Sequence, residues 1–194
     1  AENMVWADRQ GHIGWQTVGI APIRTHHSGM VPVPGDGRYE WAGYLPVLKR
    51  PSLYDPPAGF IGTANENRTP PGYPYMNTIG YSWADSYRAD RIKEVLGSTN
   101  KFSMTEMQAL QTDYYSLPAK QLILLLKNTS STDNSIQQAK QLLTGWDYVL
   151  SPTSIPATIY VEWETSLEKN LLKRLSLPCH RCARAPLSLP DLER

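Results

Sequence analysis

The hydrophobic pattern of the chain changes near Tyr81, and this change limits the folds that it can adopt. Before that point the chain is rich in residues that interrupt regular structure. Ten of its 16 prolines lie between Pro22 and Pro74, and eight of its 13 glycines lie between Gly29 and Gly80. After that point apolar residues recur with the period of an α-helix. Strands and loops followed by helices predict an α+β fold.

A β-hairpin is predicted at the start of the chain. Residues 4–8 and 12–16 are two short runs that are rich in aromatic and β-branched side chains. The turn-forming residues 8–11 lie between them, which is the spacing of two antiparallel strands.

The stretch that follows is predicted to be irregular but ordered. Residues 17–58 are expected to be mostly loop, with turns at 34–37 and 55–57, where proline, glycine and aspartate cluster. A short strand is expected at 60–63, followed by a loop at 65–74. A flexible linker is poor in aromatic residues, whereas this region contains many, so we expect it to pack on other structure.

The second half of the chain is predicted to be helical. The sharpest helix start is at Ser103 and Glu106, whose side chains have the spacing of a capping box. An earlier helix with apolar residues at 89, 92, 95 and 96 should stop at Gly97. Further helices are predicted at 103–114, 120–127, 135–148 and 159–175.

The composition argues against several functional classes. The 194 residues include 19 Lys and Arg against 18 Asp and Glu, a net charge of +1 that points to neither a nucleic-acid nor a membrane-surface partner. The longest apolar run, Leu122 to Leu126, is too short to span a bilayer. The residues after Ala1 do not have the pattern of a secretory signal.

The residues alone do not predict a self-contained catalytic site. No nucleophile elbow, helical zinc motif or phosphate-binding loop is present in the sequence. The lone pair Cys179 and Cys182 is more often incidental than metal-binding. Arg88 and Arg91 are three residues apart on one helix and by default form solvated or salt-bridged surface. Asn65 by itself would be interpreted as a turn residue.

Six short motifs occur in an order that resembles the β-chain of the penicillin acylase family, which includes acyl-homoserine-lactone acylases. They extend the resemblance over residues 3 to about 175. The motifs are WADRQGHIGW at 6–15, VPVPGDGRYEWAGYLP at 31–46, GFIGTANENR at 59–68, YRADRI at 87–92, FSMTEMQALQTD at 102–113 and AKQLLTGWD at 139–147.

The resemblance implies hydrolysis of a linear amide, such as the acyl side chain of a penicillin-like or other N-acyl small molecule. Members of the family use an N-terminal serine, released by self-cleavage of a precursor, whose α-amino group acts as the base. Asn65 matches the asparagine of the oxyanion hole, with Asn67 as a weaker competitor, and Arg91 matches a supporting arginine. No cofactor is required by this chemistry.

The resemblance also implies further properties of the protein. A structural calcium ion is expected near Gly29 and Asn77, through oxygen ligands. The fold is expected to be part of a four-layer α/β/β/α sandwich of the N-terminal-nucleophile hydrolases. The remaining α- and β-chain segments of the precursor are expected as partners, in a periplasmic or secreted location.

The sequence departs from the family pattern at both ends. It begins at Ala1 rather than at a serine, so we expect the isolated chain to lack the nucleophile and to be inactive. Residues 1–175 are predicted to form a partial domain and residues 176–194 a divergent tail. A long-chain or acyl-homoserine-lactone acylase and a non-catalytic scaffold or binding fragment are the alternatives. Apolar surface left uncovered should make the chain marginally stable or self-associating.

Overall fold

A computed structural model describes residues 2–99 and 101–175 of the chain. The polypeptide forms two compact units, which divide between Ser103 and Met104. This division lies inside the single domain that the sequence predicts for residues 1–175. The tail at 176–194, with Cys179 and Cys182, lies outside the described residues.

The first unit begins with the predicted β-hairpin. Strand β1 (Glu2–Ala7) pairs antiparallel with β2 (Ile13–Val18), with Val5 opposite Trp15. Gly11 in the connecting turn has φ of 92°, a conformation that glycine adopts without steric cost. The side chains of β1 are exposed, whereas Trp15 on β2 is buried.

Three further strands lie within the stretch that the sequence predicted to be mostly loop. Strand β3 (Pro22–Arg24) pairs with β4 (Trp41–Tyr44), and β5 (Ser52–Tyr54) pairs antiparallel with β2, which gives a sheet of order β1-β2-β5. A single turn of 3₁₀ helix, Val47–Lys49, precedes β5. The prediction of loop was wrong for these strands, because their pairing partners are distant in the sequence and leave no local periodicity.

The strand predicted at 60–63 is absent, and this segment is irregular. Gly62 explains the difference. A Cβ placed on Gly62 would lie 2.5 Å from Cγ2 of Ile92, so the backbone runs directly against a helix instead of joining the sheet. The loop predicted at 65–74 is confirmed.

Two helices complete the first unit. The short α1 (Met76–Ile79) was not predicted from the sequence. The longer α2 (Tyr87–Leu96) confirms the helix expected before Gly97, and its residues Ala89 and Leu96 are buried.

The second unit is helical within the described residues. Helix α3 (Met104–Gln111) begins directly after Ser103, as predicted, and is followed by α4 (Leu117–Leu126), α5 (Asn134–Thr144) and α6 (Ile155–Leu175). Side-chain oxygens of Ser116 and Asp133 accept backbone N–H groups at the starts of α4 and α5. These caps satisfy donors that the helix itself cannot pair.

The core of the second unit joins α4, α5 and α6. Its buried members are Ala119, Ile123, Leu143, Trp146, Ala157 and Tyr160. Trp146 lies beyond the end of α5, where the sequence predicted continued helix. Its indole Nε1 donates to the carbonyl of Val149 at 3.2 Å, so the chain turns after Gly145 while the ring stays in the core.

The order of elements confirms the predicted α+β class. None of the helices at 2–99 or 101–175 combines the length and the apolar character that crossing a bilayer requires.

Candidate functional site

Asn65 lies in the irregular loop that precedes α1, with its side chain exposed. Its φ is 67°, in the left-handed region where asparagine is one of the few tolerated residues other than glycine. The backbone N–H of Ala84 donates to the Asn65 carbonyl at 2.9 Å. The main chain is therefore held in an uncommon conformation by a contact from beyond α1.

The side chain of Asn65 is held by an arginine of α2. Nη2 of Arg88 donates to Oδ1 of Asn65 at 2.9 Å and to the backbone carbonyl of Ala64 at 2.7 Å. Because Oδ1 accepts from Arg88, the carboxamide nitrogen remains as a donor with no hydrogen-bond partner among residues 2–99 and 101–175. A neutral amide fixed in this way can donate hydrogen bonds to a ligand.

Arg91, the supporting arginine expected from the resemblance, lies one turn further along α2. Its Nη1 pairs with Oε2 of Glu94 at 3.2 Å. Sequence reasoning treated Arg88 as surface and so missed its contact with Asn65. The spacing of three residues places Arg88 beside Arg91 on one helix, but nothing in that spacing points to Asn65.

An ion pair between the buried Glu66 and the partly buried Arg68 lies beside Asn65. Oε2 of Glu66 accepts the backbone N–H of Ala64 at 2.8 Å, and Oε1 accepts from Nη1 of Arg68 at 2.9 Å. Burial acts to raise the pKa of Glu66, but these hydrogen bonds outweigh it and leave the pKa below its usual value. Glu66 is thus ionised at neutral pH and fully engaged in holding the loop.

Arg68 also joins this loop to the hairpin. Its guanidinium lies 4.8 Å from the ring centroid of Trp15, close enough for a cation–π interaction. The indole Nε1 of Trp15 in turn donates to Oδ1 of Asn3 at 2.7 Å. The loop of Asn65 is therefore fixed on one side by α2 and on the other by the buried face of the hairpin.

A cavity of about 470 Å³ opens between the hairpin and this loop. That volume lies within the range of small-molecule sites. Its lining combines polar side chains with two indoles and includes Asn3, Trp15, Asn65, Thr69, Ser82 and Trp83.

Asn67, the competing asparagine, makes a local turn instead. Its Oδ1 accepts from the backbone N–H of Thr69 at 2.9 Å and from the Thr69 hydroxyl at 2.6 Å. It is not among the residues that line the cavity. This geometry favours Asn65 as the residue that can meet a ligand.

The residues expected to bind calcium do not fit that ion in their present arrangement. The main-chain oxygen of Asn77 accepts from Nη1 of Arg24 at 2.7 Å, and its Oδ1 accepts from the Tyr81 hydroxyl. The Arg24 guanidinium also lies against Gly29, where an added Cβ would be 2.9 Å from Nε. A fixed cation opposes a divalent ion at this position. The described residues contain no cluster of three or more His, Cys, Asp or Glu that could hold a metal.

His12 forms an acid–base pair that the sequence did not reveal. Its Nδ1 is 2.6 Å from Oδ2 of Asp55, and its ring stacks on Tyr54 with centroids 5.5 Å apart. The hydrogen bond to Asp55 raises the pKa of His12. The other oxygen of Asp55 accepts the backbone N–H of Ile13, so the pair ties the start of β2 to the end of β5.

Sequence comparisons identify relatives over most of the chain. The family described as penicillin amidase matches residues 1–189. Acyl-homoserine lactone acylase QuiP of Pseudomonas aeruginosa is 39% identical over 127 residues, which cover 65% of this chain and 15% of that protein. Its Pseudomonas fluorescens counterpart is 35% identical over 176 residues, 82% of this chain and 21% of that protein.

Two further relatives carry the name penicillin acylase. Penicillin acylase 2 proenzyme of Pseudomonas sp. is 30% identical and matches 90% of this chain and 23% of its own length. The solved structure of thermostable penicillin G acylase from Alcaligenes faecalis superposes with a TM-score of 0.70 at 24% identity, over 92% of this chain and 34% of that one. This likeness establishes the fold. The chain spans a quarter or less of the curated relatives named here.

Proposed function

The chain belongs to the penicillin amidase family, and on that premise we propose that it supplies half of the oxyanion hole of an amide hydrolase. The proposal rests on how the side chain of Asn65 is hydrogen-bonded. Its side-chain oxygen accepts from Arg88, and its amide nitrogen is left to donate at a cavity of small-molecule size.

The proposed reaction is acyl transfer through a covalent intermediate. A serine hydroxyl attacks the carbonyl carbon of the substrate amide, and a base takes the hydroxyl proton and passes it to the departing amine. The carbonyl oxygen becomes negatively charged and accepts a hydrogen bond from the amide nitrogen of Asn65. Water then hydrolyses the acyl-enzyme to a carboxylic acid. We propose that the nucleophile is the N-terminal serine implied by the family resemblance, supplied by a segment of the precursor outside the described residues.

The proposed substrate is an N-acylated small molecule with a linear amide. Penicillin-like amides are the first candidate, because the penicillin amidase family matches residues 1–189 and a penicillin acylase matches 90% of the chain. Acyl-homoserine lactones are the second candidate. They are favoured by identities of 35–39% to relatives named as acylases of these lactones, against 30% to a penicillin acylase. We also propose that the protein is periplasmic or secreted, as the family resemblance implies.

The role of Asn65 can be tested in the complete protein with Asn65→Gly. Glycine adopts positive φ freely, so this variant permits the same backbone conformation while it removes the side chain with its carboxamide. We expect kcat to fall by about 10²–10³ on the substrate that the wild type hydrolyses, since this is the usual cost of losing one oxyanion donor. Turnover of a phenylacetyl anilide and of an N-acyl-homoserine lactone would be compared.

Asn67→Gly is the matched control, because it removes the same carboxamide from the same loop. It should leave kcat within a few-fold of the wild type if the assignment is correct. Wild-type kcat in Asn65→Gly, or a large loss only in Asn67→Gly, would overturn the role of Asn65. Absence of turnover of both substrates by the complete wild-type protein would instead favour a non-catalytic scaffold.

A further inference from the structure

We infer that Arg88 is a positioning residue, which fixes the carboxamide of Asn65 in the single orientation that can bind an oxyanion. The inference rests on the proposed function of Asn65 and assigns a residue that the resemblance did not. Its basis is the contact of Nη2 of Arg88 with Oδ1 of Asn65 at 2.9 Å.

An exposed asparagine side chain has two nearly equivalent orientations, related by a rotation that exchanges its oxygen and nitrogen. The guanidinium of Arg88 has only hydrogen-bond donors. It therefore stabilises the orientation in which Oδ1 of Asn65 faces it and disfavours the orientation in which the amino group faces it. The amino group is then directed away from Arg88. Without Arg88, the carboxamide would present its oxygen to a ligand for part of the time, and an oxygen repels an oxyanion.

The same guanidinium nitrogen also fixes the backbone beneath the side chain. Nη2 has two N–H groups, and one reaches the carbonyl of Ala64 at 2.7 Å while the other reaches Oδ1 of Asn65. Together with the bond from the Ala84 N–H to the Asn65 carbonyl, this holds the left-handed turn at Asn65. Arg88 thus connects the rigid helix α2 to both the main chain and the side chain of the oxyanion-binding residue.

A double-mutant cycle separates positioning from a general structural role. In the complete protein, Arg88→Met removes the donors and the charge but keeps an unbranched stem. We expect kcat to fall about 10–100-fold with little change in KM, the size of loss seen when a residue that orients a metal-ligating side chain is removed. If Arg88 acts through the Asn65 carboxamide, Arg88→Met in the Asn65→Gly background should cause almost no further loss.

Two more variants keep the test decisive. Lys93→Met removes a positive charge from the same helix, where Lys93 pairs with Asp90 on the surface, and should leave kcat unchanged. Arg88→Lys restores a charged donor and should recover part of the lost kcat, which a collapsed fold would not permit. The melting temperature of each variant is measured alongside.

The outcomes distinguish the inference from the function on which it rests. A full additive loss in the double variant, or wild-type kcat in Arg88→Met while Asn65→Gly is impaired, would overturn the role of Arg88 alone. Unimpaired Asn65→Gly would overturn the proposed function itself.

Discussion

At the scale of single residues, Asn65 combines a strained backbone with a side chain held at one end only. The left-handed φ of 67° suits a turn, and the sequence does predict a loop there. The contacts that turn this loop residue into a candidate oxyanion donor come from Ala84 and Arg88, about 20 positions away. No local pattern encodes such distant contacts. The assignment of Asn65 therefore depended on the resemblance, and the role of Arg88 emerged only from the structure.

The pair of His12 and Asp55 predicts a stability that depends on pH. The hydrogen bond to Asp55 raises the pKa of His12. The stabilisation that the protonated His12 provides is therefore complete below the ordinary histidine pKa near 6.5 and is lost as pH rises through the raised pKa. The N–H of Ile13, and then His12, lower the pKa of Asp55. That effect is present above about pH 4 and is lost as pH falls through the lowered pKa.

We therefore expect the melting temperature of the wild type to fall when pH rises from about 6 to 8, through the histidine range. His12→Gln should show a flatter profile over this window, because it cannot titrate there. His26→Gln, in an exposed position, is the control and should keep the wild-type profile. Identical slopes for the wild type and His12→Gln would contradict the prediction.

At the scale of secondary-structure elements, the sequence predicted best where local forces decide. The hairpin, the end of α2 at Gly97 and the start of α3 after Ser103 depend on turns, caps and periodicity, and all three are confirmed. Strand β5 was missed because it exists only by pairing with β2, more than 30 residues earlier. The strand expected at 60–63 does not form for a related reason: the segment packs against α2, which is distant in the sequence.

The close approach of Gly62 to α2 can be tested by Gly62→Ala. The new Cβ would lie 2.5 Å from Cγ2 of Ile92, a distance that real structures do not allow, so loop or helix must shift. We expect a loss of about 1–3 kcal/mol in the free energy of unfolding, measured by urea denaturation, as for other overpacked sites. Gly35→Ala is the matched control because no atom lies within 4 Å of its added Cβ.

A second variant identifies the contact responsible. Ile92→Ala removes Cγ2, and in the Gly62→Ala background it should cost less than it does in the wild type. Equal stability of Gly62→Ala and Gly35→Ala would show that α2 does not constrain this loop.

At the scale of the whole molecule, the two units differ in how much of their apolar surface they bury. Within the described residues, the second unit has a core of six buried hydrophobic residues among α4, α5 and α6. The first unit buries Trp15 on β2 but leaves β1 with all of its side chains exposed. The order of elements was enough to predict the α+β class. How completely each unit is covered could not be predicted, because that depends on which faces of the short strands meet other structure.

The exposed sheet of the first unit predicts self-association of the 194 residues when they are expressed alone. Within the described residues, β1 and β5 are the outer strands of their sheet, and exposed apolar side chains on both include Val5 at 55% and Tyr54 at 63%. Outer strands with apolar faces expose unpaired backbone N–H and C=O groups and hydrophobic surface, to which a second copy of the chain can bind. We expect the mass measured by light scattering after gel filtration to rise with protein concentration.

A charge on the outer strand should weaken this association. Val5→Lys places a lysine on β1, which is a common natural protection of such edges, and should shift the protein towards monomer. Val161→Lys is the control, since Val161 is similarly exposed, at 44%, but lies on α6 of the second unit and should have little effect. A monodisperse wild-type monomer with a sharp cooperative melt would contradict the prediction. Such a result would show that the sheet stays folded and monomeric although its apolar side chains are exposed to water.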